Sequence, residues 1–269
     1  MTLDERVFPK TDVTPEQEFN DFLARFPEIA EQFREAKTVR PWVSTGRLQY
    51  SAHTTVGDRY CLTAHAAGFI DALYSRGLAN TVAVVNSLAW RLIEAARADD
   101  WSTERFEYID RLQQGLFDIH DDLAYSSFVG FGHYDLWNAV IRVWKATSFM
   151  TWLPLERALQ DFRRDRDEAV LNALESEITP GLAGPAGREV ASMLEFTRKT
   201  CQLVDTGTLP ADRGAADLFA WLREANFLPE PLGLAVPDNR TPQLTPEIEK
   251  LVRAWGQEQA PDHIRPLFA

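Results

Sequence analysis

Of the 269 residues only two are cysteine, Cys61 and Cys201. That scarcity excludes a disulfide framework and a four-cysteine zinc site, and it fits a reducing, cytoplasmic setting. Positive charge is also in deficit: 28 Lys and Arg stand against 40 Asp and Glu, a formal net charge of −12. A chain this acidic repels phosphate backbones and anionic lipid, so neither nucleic acid nor a membrane is expected as its partner. Apolar runs are interrupted by Arg or Asp well short of the roughly 18 residues that mark a membrane helix. Met1 to Lys10 carries acids early and has no apolar stretch of the signal-peptide kind. No complete G-x-G-x-x-G occurs in the chain, so the usual grip on a dinucleotide pyrophosphate is missing. There is no G-x-S-x-G elbow either, which leaves serine hydrolase chemistry without support.

What is present is ordinary globular material: 45% apolar and 25% charged residues, over a length that suits about two domains. Aromatics are plentiful, with 16 Phe, 8 Trp and 6 Tyr, which serve a large core or a pocket for a planar ligand. Thr14-Pro15-Glu16-Gln17 combines a capping Thr, Pro at the first helical position and Gln three residues after the cap. It predicts a helix whose buried face is Phe19, Phe22, Leu23 and Phe26. Pro27 ends it and starts another, expected to reach about Lys37.

Two strands are predicted, Arg47 to Thr54 and Arg59 to Ala64, with Val56-Gly57-Asp58-Arg59 as a turn. From Gly77 the pattern is helical. Leu78, Val82, Val85, Ala89, Leu92, Ile93 and Ala96 fall on one wide apolar stripe. Ser102 caps the next helix, expected to about Tyr125. His133 to Leu153 is an aromatic helix that Pro154 should kink or end. Further helices are expected at about 155–178, 186–204, 212–225 and 245–257, with breaks at Thr179-Pro180-Gly181 and Gly184-Pro185. The five prolines within 228–246 read as a polar surface excursion. The fold class is mainly α with a small β contribution. An isolated hairpin is marginal in water, so two lone strands imply partners elsewhere.

The segment Arg59 to Thr81 carries the chemistry. A short strand runs into Ala66-Ala67-Gly68, small residues that allow a ligand close to the backbone. A long helix then opens near Ser75 to Ala79 and aims unpaired N–H groups at that ligand. Such a helix end favours an anion, or a ring that gains negative charge on reduction.

This stretch resembles the second flavin-binding motif of the flavin-dependent halogenases and related FAD-dependent oxidoreductases. Ala67-Gly68-Phe69-Ile70-Asp71, Leu73-Tyr74-Ser75 and Gly77 match the motif directly. Phe26-Pro27-Glu28-Ile29, Arg40-Pro41-Trp42 and Leu48-Gln49-Tyr50 look like the lead-in. The resemblance implies FAD as cofactor and chemistry with molecular oxygen, such as halogenation or hydroxylation of an aromatic or acyl small molecule. The cofactor contacts it implies are His65, Gly68, Asp71, Ser75, Arg76, Gly77 and Leu78.

The departures also matter. Ala64-His65 replaces the family's Gly-Asp, and Ala72 its proline. Tyr74 stands where tryptophan halogenases carry glutamate, an aromatic more like that of enzymes acting on phenols or carrier-bound groups. The family's W-x-W-x-I-P motif and catalytic lysine lie upstream, and neither appears here. The chain therefore resembles the C-terminal portion of a glutathione-reductase-like FAD and substrate-domain fold without its N-terminal Rossmann unit. On this basis 1–63 is a remnant of substrate-domain helix and strands, 64–98 the flavin loop and long helix, and 99–269 a helical C-terminal region. The resemblance implies a polypeptide not active alone, completed by an N-terminal half or a partner chain and served by a flavin reductase. The alternative is a non-catalytic helical relic or interaction module.

Individual residues carry two readings each. His65 is a ribityl contact or a hydrogen-bonded loop residue, and Asp71 is a cofactor ligand or a cap of the following turn. Asp118, Asp121 and Asp122 share a helix face from which His120 points away, which reads as a solvated acidic surface. The Trp137, Trp144 and Trp152 series fits a core or the wall of a substrate cavity.

Overall fold

The computed structural model of the protein describes residues 1–175, 182 and 184–268. It contains two compact units, Met1–Leu48 and Gln49–Ala269. In the first, α1 (Pro15–Leu23) begins as its sequence dictates: the Thr14 hydroxyl accepts from the Gln17 N–H at 3.2 Å, and proline occupies the first turn. Helix α2 (Pro27–Gln32) stops five residues short of Lys37. The unit has no buried side chains in either helix. Its aromatics hold it, through edge contacts between Phe19 and Phe33 and between Phe8 and Phe22, each at 5.5 Å.

The second unit is mainly helical, with four two-residue strands among the described residues. The predicted strands are shorter than expected and pair differently. Strand β1 (Tyr50–Ser51) takes an antiparallel partner from further along, and β2 (Val56–Gly57) pairs with β3 (Tyr60–Cys61) across the turn at Asp58-Arg59. The partner of β1 is β4 (Gly68–Phe69), inside the stretch read as a loop. Pairing across 16 intervening residues leaves no local periodic signal, which is why sequence patterning missed it.

Both strand pairs are fastened to a helix rather than to a larger sheet. Helix α3 (Arg76–Ala98) is followed by α4 (Glu107–Gly130), entered through a 3-10 turn at Thr103–Phe106. Asp110 of α4 accepts from both the N–H and the hydroxyl of the fully buried Thr55, at 2.6 and 2.8 Å. Gln113 donates to the Thr55 hydroxyl at 2.8 Å and the Leu62 carbonyl at 2.9 Å. Gln114 donates to the Ala52 carbonyl at 3.1 Å. Side chains of one helix thus satisfy backbone groups that a wider sheet would otherwise pair. A small apolar core around Val56, Val84, Ala95 and Ile109 lies beneath them.

The larger core is built by α4, α5 (Tyr134–Asp165), α7 (Gly187–Asp205) and α8 (Ala211–Glu224), packed around Leu123, Leu136, Val143, Met193 and Leu218. Pro154 does not end α5, which runs on through it to Asp165. A proline inside a helix costs one backbone hydrogen bond, and Pro154 is buried in α5 against Gly184. The helix expected over 155–178 is therefore two pieces: the end of α5 and α6 (Ala169–Asn172), a 3-10 turn following at Ala173–Glu175. The end of that expected helix and the break at Thr179-Pro180-Gly181 lie outside the described residues.

The proline-rich stretch 228–246 is not a polar excursion. Leu228 and Leu234 are buried in the core, and Asn138 of α5 donates to the Pro237 carbonyl at 3.0 Å. Arg142, fully buried, donates to Asn138 Oδ1 at 2.9 Å and to the Asn239 carbonyl. The prolines shape a strap that α5 grips, followed by α9 (Pro246–Glu258) with Thr245 as its cap. No helix among the described residues is long and apolar enough to cross a membrane.

Candidate functional site

The segment 64–78 forms a corner between β4 and α3. A 3-10 turn at Ala64–Ala66 follows Thr63, with Ala64 in the left-handed region at φ 51°. The Tyr50 hydroxyl donates to the His65 carbonyl, and the Ala52 N–H to the Ala67 carbonyl at 2.7 Å. The loop is therefore held from below by the β1 strand. Gly68 is buried because any side chain would collide there: a Cβ would come 2.8 Å from Phe117 and 3.0 Å from the Tyr50 carbonyl. Its smallness serves this packing, whereas the sequence suggested room for a ligand.

Asp71 is buried, and its Oδ1 accepts from the Leu73 N–H at 2.8 Å, closing an Asx turn. Tyr74 and Ser75 then both adopt left-handed backbone, at φ 55° and 57°. Two successive non-glycine residues in that region are costly. The corner they make stops the chain and starts α3 at Arg76, with no side chain capping its first N–H groups. The helix end predicted near Ser75 to Ala79 is thus where the motif puts it, with free N–H groups beside the exposed Ser75.

Tertiary contacts hold this corner. The Trp137 indole N–H donates to the Tyr74 hydroxyl at 3.0 Å, and the Tyr74 ring lies 4.5 Å from that of the buried Trp144. Trp144 donates to Ser127 at 3.0 Å and meets His120 edge-on at 6.0 Å. Trp137 and Trp144 therefore serve the loop and the core together. Trp152 is largely exposed, away from them along α5.

Between the corner and α4 lies a small cleft of about 30 Å³. His65, Asp71, Gly77, Asn80, Gln113 and His120 contribute to its lining. His65 is exposed, and a Cβ placed on Gly77 would sit 4.0 Å from its Nε2, so these two expected contacts face each other. Arg76 is half-buried, and Leu78 points into solvent on the outer side of α3.

His120 points away from the acidic face of α4, into the protein. Burial pulls its imidazole down to about 4, and the Arg76 guanidinium pushes in the same direction. Burial likewise lowers Arg76. His120 Nε2 and Arg76 Nε are both buried without a hydrogen-bond partner among the described residues. Gln113, Leu116 and His120 repeat at three- and four-residue spacing, so the available signal was a pair of polar residues on the buried stripe of α4. Asp122, on the solvent side, pairs with Arg198 at 2.8 Å. No cluster of three or more metal-ligating side chains occurs among the described residues.

The site presents a left-handed corner feeding an uncapped helix, backed by aromatics, and the proteins that the chain resembles are halogenases. In sequence and fold the chain is related to their C-terminal half. It is 42% identical to the tetracycline 7-halogenase of Kitasatospora aureofaciens, over 99% of this chain and 48% of that protein. It is also 42% identical to the monodechloroaminopyrrolnitrin halogenase PrnC of Pseudomonas fluorescens, over the whole chain and 48% of the relative. The chain spans about half the length of these curated relatives. Among solved structures, halogenase PltM in complex with phloroglucinol and FAD superposes with a TM-score of 0.79 at 31% identity, over 88% of this chain and 48% of that one. A second PltM crystal structure gives the same TM-score over 87% of the chain. No family model matches the chain.

Proposed function

We propose that this chain forms the flavin-facing and substrate-shaping half of an FAD-dependent oxidative enzyme of the halogenase and monooxygenase kind, acting on a small aromatic or acyl molecule. One observation carries the reading: the corner at Tyr74-Ser75 delivers an uncapped helix end beside His65 and Gly77. The residues present fit the ring end of FAD. Free N–H groups of α3 suit a ring edge that gains negative charge, and Arg76 brings a buried, unpartnered Nε to the same first turn. His65, exposed at the rim, suits a ribityl hydroxyl, and Gly68, Asp71, Ser75, Gly77 and Leu78 complete the proposed contact stretch.

When bound, FAD supplies the oxidative chemistry with molecular oxygen. This chain's residues orient: the Trp137–Tyr74 bond and the contact of the Tyr74 ring with Trp144 hold the corner in place. The phloroglucinol bound by PltM, and the names of the other relatives, support a small-molecule substrate. We further read 1–63 as substrate-domain helix and strands, 64–98 as flavin loop and helix, and 99–269 as the helical region shaping the substrate side. The whole belongs to a glutathione-reductase-like architecture completed by a dinucleotide-binding half, in the cytoplasm, with a flavin reductase as reductant source.

The test is FAD uptake. The chain should take up FAD, read as flavin absorbance retained through gel filtration, when co-expressed with the other half of PrnC. A Gly77→Val or Ser75→Pro variant should lose it. Absence of flavin from the unsubstituted chain co-expressed in this way would favour a non-catalytic helical module, a reading supported by Ala64-His65 standing where relatives of this motif carry Gly-Asp.

A further inference from the structure

Around Pro154, α5 turns one face toward the C-terminal end of the chain. Phe149, Leu153, Glu156 and Gln160 recur there at three- and four-residue spacing, with Trp152 beside them. Val252 of α9 and Phe268 of the closing 3-10 turn (Arg265–Phe268) stand across from this stripe, over a cleft of about 140 Å³. The far wall is firmly built. Val252 and Phe268 are buried, and Phe268 meets Trp255 edge-on at 5.7 Å. Gly256 has no room for a side chain beneath the Phe268 ring, and Gln257 donates to the Phe268 carbonyl at 3.4 Å. The near wall is aromatic, with the Phe149 and Trp152 rings 6.3 Å apart. Trp152, 47% exposed, and Leu244 of the strap, 49% exposed, form the mouth. The charged side chains of the rim are each held within their own helix. Arg157 meets Asp161 at 3.1 Å, Arg253 meets Glu249 at 3.0 Å, and Glu156 accepts from Gln160 at 3.0 Å.

We infer that this cleft is a binding site for a neutral, single-ring phenol, separate from the corner at Tyr74-Ser75. Size selects one ring, since an apolar cavity of about 150 Å³ takes a single benzene. The walls select an aromatic guest, because Phe149 and Trp152 offer faces and edges for ring contact. The rim selects the substituent. A charged guest would find each rim cation already paired, so the guest is neutral. Glu156 and Glu249 keep acceptor sites for a hydroxyl, since a carboxylate accepts more than one hydrogen bond. None of the lining residues is Cys, His, Ser or Lys, so the cleft holds a phenol and does not react with it. Trp152 lies roughly 22 Å beyond Trp137 along α5, at 1.5 Å per residue. The site is built by this chain alone and does not rest on the flavin reading.

The experiment titrates phenol into the full chain, read by calorimetry and by the indole N–H resonances in two-dimensional NMR. One site with a Kd below about 1 mM is expected. The resonance that phenol shifts most should be the one that Trp152→Ala removes. Trp152→Ala takes away a wall and Leu244→Trp fills the mouth, and each should weaken phenol binding by about fivefold or more. Both variants replace exposed side chains, so the thermal unfolding midpoint should stay where it is. Benzoate has the same ring with a charge and should bind about tenfold more weakly or not at all. Absence of heat and of any shift would overturn the assignment. So would an affinity that neither variant lowers, or benzoate binding as well as phenol. A largest shift at the indole that Trp137→Phe removes would place phenol at the corner and equally overturn it. Phenol binding at Trp152 in a chain that takes up no FAD would leave this site standing and remove the flavin reading. FAD uptake by a chain that binds no phenol there would do the reverse.

Discussion

The Trp137 indole N–H and the Tyr74 hydroxyl meet at 3.0 Å, and that single bond ties the left-handed corner ahead of α3 to the start of α5. Tyr74 would relax toward an ordinary backbone conformation without a tertiary partner, since its φ of 55° is disfavoured for an aromatic residue. Trp137→Phe keeps an aromatic ring and removes the donor. It should cost about 1 kcal/mol, lowering the melting midpoint by about 2–4 °C. Hydrogen exchange at residues 74–78 should rise by a larger factor than in the rest of α3. Unchanged exchange there would mean the corner is set by local sequence.

His120 makes a pH prediction with a definite sign. Its folded-state value, about 4, lies below the ordinary 6.5. Between these values the unfolded chain binds the extra proton, so stability rises with pH. The contribution is fully present above about pH 6.5 and is lost progressively as pH falls toward 4. His120→Gln should flatten the melting curve against pH in that window relative to the unsubstituted protein, while behaving similarly at pH 8. Parallel curves for the two proteins would refute a neutral, buried imidazole.

Asp110 joins α4 to the strand region through Thr55, whose hydroxyl and N–H both depend on it. Asp110→Ala leaves those buried donors short of an acceptor. The expected cost is about 1–3 kcal/mol, read as a lower denaturant midpoint. Thr55→Val with Asp110→Ala should cost less than the sum of the two single changes, because the hydroxyl no longer needs a partner. Additive costs would show that the pair does not act as a unit.

Arg142 grips the 228–246 strap from inside the core. Arg142→Leu would strand the Asn239 carbonyl and free Asn138, and should cost about 2–4 kcal/mol with increased proteolysis between 235 and 245. Arg142→Lys should restore little, because an ammonium cannot reproduce the planar fork that reaches Asn138 Oδ1 through two nitrogens. Full rescue by lysine would indicate that charge alone matters there.

Local chemistry made much of this molecule legible from sequence. Thr14-Pro15 and Thr245-Pro246 start helices where they stand, because capping and proline geometry act within one turn. The 64–78 motif likewise marked a loop and a helix opening through residues adjacent in the chain. The mainly helical class followed from periodicity of the same local kind.

Other features needed distant partners. The pairing of β1 with β4, the use of Asp110 and Gln113 to satisfy strand backbone, and the passage of α5 through Pro154 depend on residues brought close only by folding. That His120 points away from the acidic face is legible in the sequence, but what it meets there, the buried Trp144, is not. The α3 stripe shows the division most plainly. Its amphipathic spacing is written in the sequence, because 3.6 residues per turn align those side chains whatever surrounds them. Which side faces the core was decided by the neighbours that α3 meets, and they take Val84 and Ala95. Periodicity defines a face; only tertiary contact determines what covers it.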